Sequence, residues 1–110
     1  MNHSIDQFSV YWVDLNPSKG AEINKNRPCV VISPVEMNNY LRTIIIAPVT
    51  SRGREGYPTR TKIAVKDIVG WVVLDQIRAI DKSRLYKKIG CLNAEEIAAV
   101  KNINKEMLVE

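Results

Sequence analysis

The chain has 110 residues, a net charge of +4, and 45% hydrophobic against 25% charged residues. These values describe one ordinary soluble globular domain, near the lower size at which a chain buries an adequate core alone, and they leave little room for a second domain or a disordered tract. No apolar run approaches the ~20 residues that span a bilayer, and the mild basic bias favours a polyanionic partner without requiring one.

The N-terminus, Met1-Asn2-His3-Ser4-Ile5-Asp6, has neither a basic region nor an apolar core and is not a signal peptide. Residues 8–15 mix alternation with β-branched and aromatic side chains and stop at Asn16-Pro17, which predicts a first strand. A polar loop, Gly20 to Pro28, runs into the apolar strand Cys29–Ser33. Thr43–Val49 is a second inner strand, with a short helical turn at Met37–Leu41 between the two. Arg52–Thr59, with two glycines, a proline and three charges, predicts a mobile loop. Thr61–Val65 alternates as a half-buried strand, and Gly70–Ile80 predicts one long strand. Asn93 and Glu96 form a capping-box pattern that opens a final helix, whose apolar stripe is Ile97, Val100, Ile103 and Met107. Strands joined by turns with one closing helix predict a small, mainly antiparallel barrel of the SH3-like kind. Trp12 and Trp71 lie in apolar runs and read as core or dimer contacts; Cys29 and Cys91 read as small core residues. Two cysteines without C-x-x-C spacing suit a reduced, cytoplasmic setting.

The inventory of reactive groups is short. His3 is the only histidine and stands in a segment expected to fray, so an acid–base pair of histidines is excluded. No His/Cys/Asp/Glu cluster has metal-ligand spacing, and no metal or other cofactor is expected. A hydrolytic enzyme built from these residues needs a substrate that brings its own nucleophile. RNA does so through its 2′-hydroxyl, and the protein then has only to align the phosphate, stabilise charge and move protons.

Four segments in order carry a family resemblance: Gly20-Ala21-Glu22-Ile23-Asn24-Lys25-Asn26-Arg27-Pro28, Ala47-Pro48-Val49-Thr50-Ser51, Gly56-Tyr57-Pro58 and Trp71-Val72-Val73-Leu74-Asp75-Gln76-Ile77-Arg78. Flanked by Val13-Asp14-Leu15-Asn16-Pro17 and Ile80-Asp81-Lys82-Ser83-Arg84-Leu85, they resemble the MazF/PemK (Kid) toxin endoribonucleases over nearly the whole chain. The resemblance implies the CcdB/Kid barrel fold, a homodimer, a MazE-like antitoxin that lays an acidic segment over the RNA groove, and metal-independent cleavage of single-stranded mRNA at a short sequence. Kid-type members carry His where Ala21 stands and Arg where Val73 stands, so the MazF branch is the nearer one.

By the same resemblance Arg27 and Thr50 are catalytic. A guanidinium is very hard to deprotonate, so the main role of Arg27 is phosphate stabilisation, with proton donation to the leaving 5′-oxygen open; Thr50 and Ser51 donate hydroxyls to the same phosphate or cap the strand end. Asp75 is a general base or the ion-pair partner of Arg27 or Arg78. Glu22, Asn24, Lys25, Gln76 and Arg78 are candidate RNA contacts, and Tyr57 is a platform for an unpaired base. Two rivals remain at this point. A CcdB-like gyrase-binding toxin would need a C-terminal aromatic that Lys105–Glu110 lacks, and a non-catalytic SH3-like RNA-binding module gives Arg27, Thr50 and Asp75 no reason to meet.

Overall fold

The computed structural model describes residues 4–15, 26–53 and 57–109. Its strands are β1 (Ser9–Asp14), β2 (Asn26–Val31), β3 (Thr43–Thr50), β4 (Arg60–Val65), β5 (Ile68–Val73), β6 (Arg78–Asp81) and β7 (Leu85–Cys91), and its helices are α1 (Val35–Tyr40) and α2 (Ala94–Leu108). All seven strands belong to one antiparallel sheet, ordered β4-β5-β3-β2-β1-β7, with β6 also on β3. The sheet curls until its edges approach: a Cβ on Gly90 of β7 would stand 2.8 Å from Val65 Cγ1 of β4. The expected small antiparallel barrel with a C-terminal helix is what forms, as a curled sheet closed by side chains.

Strand β3 is bordered on both sides. Its Ile46–Pro48 pair with Val31–Cys29 of β2, its Val49 and Thr50 with Val72 and Trp71 of β5, and its Thr43–Ile46 with Asp81–Arg78 of β6. Both faces are covered as well. Val30, Ala47 and Val49 join a core with Ile63, Val72, Val100 and Ile103, while Cys29, Val31, Ile44 and Ile46 join a second with Val13 and Ile80. Burial on both faces explains the continuous apolar runs of these two strands. Each fully buried Val or Ile contributes roughly 1.5–3 kcal/mol of transfer free energy.

Three sequence expectations change. The long strand Gly70–Ile80 is broken: Leu74–Gln76 form a single 3-10 turn, so one run borders β3 first as β5 and then as β6. Arg27 does not sit on a loop, because β2 begins at Asn26 and pairs Arg27 with Val13 of β1. Strand β7 was not expected at all. Its pairing with β1 slips twice, once between Val10 and Tyr11 and once between Trp12 and Val13, and bulges of this kind erase the two-residue period that announces a strand.

The helix expectation holds in detail. Asn93 Oδ1 accepts from Glu96 N at 2.8 Å, and Glu96 Oε1 accepts from Asn93 N at 2.8 Å. Glu96 Oε2 then accepts from Ala64 N at 2.8 Å, so one carboxylate closes the helix start and satisfies a donor on the edge strand β4. Ile97, Val100, Ile103 and Met107 pack on the first core as the apolar stripe requires. Cys29 is buried, whereas Cys91 is exposed and not a core residue.

At the C-terminal end of β3 the backbones of β5 and β3 come unusually close. A Cβ on buried Gly70 would lie 2.6 Å from Thr50 O and 2.9 Å from Val49 Cγ1, a gap that only glycine fits. Gly70→Ala is therefore expected to cost about 1–3 kcal/mol through overpacking, read from urea denaturation; an unchanged midpoint would show that β5 yields without disturbing Thr50.

Candidate functional site

Where β2, β3, β5 and β6 meet beside the 3-10 turn, the curled sheet leaves a concave cavity of about 330 Å³. Arg27 enters from β2, Thr50 from the end of β3 and Arg78 from the start of β6, with Gln76 from the turn itself. Arg52 and Arg60 complete the polar wall, and Leu15, Pro48 and Val73 supply apolar floor. Four arginines thus line one opening, and among the described residues no carboxylate lines it. A surface with this charge favours a polyanionic ligand.

The Thr50 hydroxyl is held in place. Its Oγ1 accepts from Arg52 N at 3.1 Å, which orients the side chain and leaves its own proton available for an acceptor in the cavity. The chain behind it is anchored by Gly53, whose backbone lies flat against Trp71: a Cβ there would come within 2.1 Å of the indole Cδ1. Trp71 is thus the support on which the chain leaving β3 rests.

Asp75 is placed differently from the expectation. It leaves the strand with the 3-10 turn, it does not line the cavity, and its partner is neither Arg27 nor Arg78. Arg60 Nε donates to Asp75 Oδ1 at 3.3 Å and Thr59 Oγ1 donates to the same oxygen at 2.9 Å. Partial burial works to raise the Asp75 carboxyl, but the hydrogen bonds from Arg60 and Thr59 outweigh it and hold the group below the ordinary carboxylate range. Arg60 also meets Tyr57, with its guanidinium carbon 4.9 Å from the centroid of the ring. An exposed ion pair of this kind contributes about 0–1 kcal/mol to stability, so its main consequence is geometric.

Of the other expected site residues, Tyr57 lies next door. It lines a second cavity of about 420 Å³ together with Arg52, Gly53 and Arg60. Ser51 is exposed just past β3 and lines neither space. Glu22, Asn24 and Lys25, along with Ala21, lie outside the described residues, as does the middle of the loop expected to be mobile, 54–56. Arg52 and Arg60 were not singled out by the sequence. The one available signal for Arg60 is that it opens the alternating run 60–65; the cross-strand pairing with Val73 that brings it to the cavity has no linear trace.

Two further observations bear on chemistry. Burial pushes the Cys29 thiol up to about 12, and the nearby Arg27 and Arg78 only partly pull it back, so it stays protonated and unreactive. Among the described residues no group of three or more His, Cys, Asp or Glu side chains is placed to hold a metal ion, and no helix is long and apolar enough to cross a membrane.

The chain matches the family model described as PemK-like, MazF-like toxin of type II toxin–antitoxin system over residues 6–108. Its fold is similar to the crystal structure of MazF from Deinococcus radiodurans, with a TM-score of 0.81 and 27% identity over 99% of this chain and 100% of that one. A crystal structure of MazE-MazF from the same organism matches with a TM-score of 0.83 and 27% identity over 97% of each chain. A mycobacterial endoribonuclease in complex with its cognate antitoxin shares the fold, with a TM-score of 0.80 and 20% identity over 96% of this chain and 95% of that one.

Two outcomes follow from these placements. Because the folded Asp75 carboxyl is depressed, its contribution to stability is present above the ordinary carboxylate range and is lost as pH falls through the lower folded value. The melting-temperature gap between wild type and Asp75→Asn should therefore be open at neutral pH and close in acid; a gap that widens in acid would show that the ion pair is not what holds Asp75. A thiol reagent should label Cys91 alone in the native protein and both cysteines in urea, read by mass spectrometry.

Proposed function

Since this chain belongs to the PemK-like, MazF-like toxins of type II toxin–antitoxin systems, we propose that it is an endoribonuclease that cleaves single-stranded RNA in the arginine-lined cavity. The observation that carries the reading is the convergence of Arg27, Arg52, Arg60 and Arg78 with the oriented hydroxyl of Thr50 on one concave surface. Guanidiniums present planar forks that match phosphate oxygens, and a set of them aimed at one point stabilises the extra negative charge of a pentacoordinate phosphate.

In this reading the RNA 2′-oxygen attacks the neighbouring phosphorus as its proton passes to a solvent water. The phosphorus–5′-oxygen bond breaks, a 2′,3′-cyclic phosphate forms, and the 5′-oxygen takes a proton back from water and leaves as a hydroxyl. Arg27, half-buried and fixed by its pairing with Val13, holds the non-bridging oxygens, and Thr50 donates to the same phosphate. Gln76 and Arg78 line the approach and take part in reading the RNA. Glu22, Asn24 and Lys25 are proposed contacts of the same kind, as is Ser51. A homodimer and a MazE-like antitoxin with an acidic segment are the partners of this reading, in a cytoplasmic setting. Support for the antitoxin is the likeness to MazF in its complex with MazE, together with the positive charge that an acidic segment would cover.

Incubation of the purified protein with a long transcript tests this. Cleavage should proceed in EDTA, give cyclic phosphate and 5′-hydroxyl ends, and stop at a scissile nucleotide lacking its 2′-hydroxyl. Arg27→Ala should lower kcat about 100-fold or more, on the scale of removing one charge-stabilising donor, and Thr50→Ala should lose less because a neutral donor is weaker. Strict dependence on a divalent ion, 5′-phosphate ends, or wild-type rates in both variants would overturn the assignment.

A further inference from the structure

We propose that Arg60 is a substrate-binding residue that grips the phosphate next to the scissile one, and that Asp75 acts through Arg60 as a positioning residue and not on the reacting atoms. The inference rests on the endoribonuclease reading above and extends it to a second phosphate.

The first support is position. Arg60 and Arg52 are the residues common to both cavities, whereas Arg27 and Thr50 line only the first and Tyr57 only the second. A nucleotide chain with its scissile phosphate between Arg27 and Thr50 and a neighbouring base at Tyr57 must carry the intervening backbone across the shared wall. Arg60 reaches that wall from a different strand than Arg27 or Arg78. Its cross-strand partner in β5 is Val73, which is apolar and lies in the same wall, so the register of β4 on β5 delivers charge where β5 itself has none.

The second support is preorganisation. Arg60 is held by the Asp75 carboxylate at 3.3 Å and by the Tyr57 ring at 4.9 Å, with Thr59 donating to the same carboxylate. A flexible arginine loses rotamer freedom when it binds; one already held has lost much of it beforehand. The bond to Asp75 engages Nε, and the two terminal nitrogens, with four N–H donors, take no part in it. That is the edge suited to a phosphate. Asp75 meanwhile has its Oδ1 doubly occupied and sits outside both cavities, in poor position to take a proton from a 2′-hydroxyl.

The test is steady-state kinetics on a short RNA spanning a site first mapped on a long transcript. It is compared with RNAs in which the phosphate on either side of the scissile one is replaced by a neutral methylphosphonate. Arg60→Ala should raise KM about 10-fold with a smaller change in kcat. One of the two neutralised RNAs should be a comparably poor substrate for the wild type and no poorer for Arg60→Ala. Asp75→Asn should raise KM less, add nothing in the Arg60→Ala background, and leave the shape of the kcat–pH profile unchanged. If Arg60→Ala melts at a lower temperature or fails to fold, Arg60→Gln replaces it in every arm. Wild-type KM in the Arg60 variant, additive losses at both flanking phosphates, or loss of a basic limb from the pH profile in Asp75→Asn would overturn the inference. Failure of the underlying reading looks different: the wild-type protein itself then cuts no RNA, and the inference falls with it.

Discussion

Everything in this fold leans on the hydrogen bonding of β3 along both of its edges. A strand paired on both sides and buried on both faces cannot shift by one residue without turning Ile44, Ile46, Ala47 and Val49 toward the wrong core. That rigidity reaches the strand end, where Thr50 is delivered to the cavity with its backbone clamped against Gly70. The 3-10 turn at Leu74–Gln76 is the necessary counterpart. It lets one stretch of chain border β3 twice, and Gln76 of the turn and Arg78 just after it line the cavity together with Arg60.

The cavity gathers positive charge. Four arginines line about 330 Å³, and a carboxylate at the margin, Asp75, is engaged with Arg60. Placing that carboxylate at the edge holds one arginine without bringing negative charge to the centre of the cavity. The lowered proton affinity of Asp75 follows from the same arrangement, because the hydrogen bonds from Arg60 and Thr59 favour its ionised form.

Much of this was legible from the residues. Val and Ile runs bounded by Gly and Pro marked β2 and β3, and the Asn93–Glu96 pair marked the start of α2 to the residue, because a capping box needs two side chains at a fixed spacing and nothing distant. Strand β7 was not legible, since Lys87 and Lys88 stand side by side at its bulges and break the alternation. The turn inside residues 70–80 was hidden for the opposite reason: Leu74 is as apolar and buried as its neighbours in β5, and composition alone does not separate a buried turn residue from a buried strand residue.

The sequence by itself determined the class of fold, the register-insensitive features and the residue types available for chemistry, because periodicity, caps and composition are local properties that neighbours along the chain enforce. Its ordered motifs also carried the family. Only the tertiary structure decided which charges meet. Arg27, Arg52, Arg60 and Arg78 are separated by up to 51 positions, and their convergence depends on the register of β4 on β5, of β6 on β3 and of β2 on β1. The pairing of Asp75 with Arg60 in place of Arg27 or Arg78 has the same origin. Ion pairs form with whatever opposite charge the backbone brings within reach, and sheet register is a property of strands meeting across the fold.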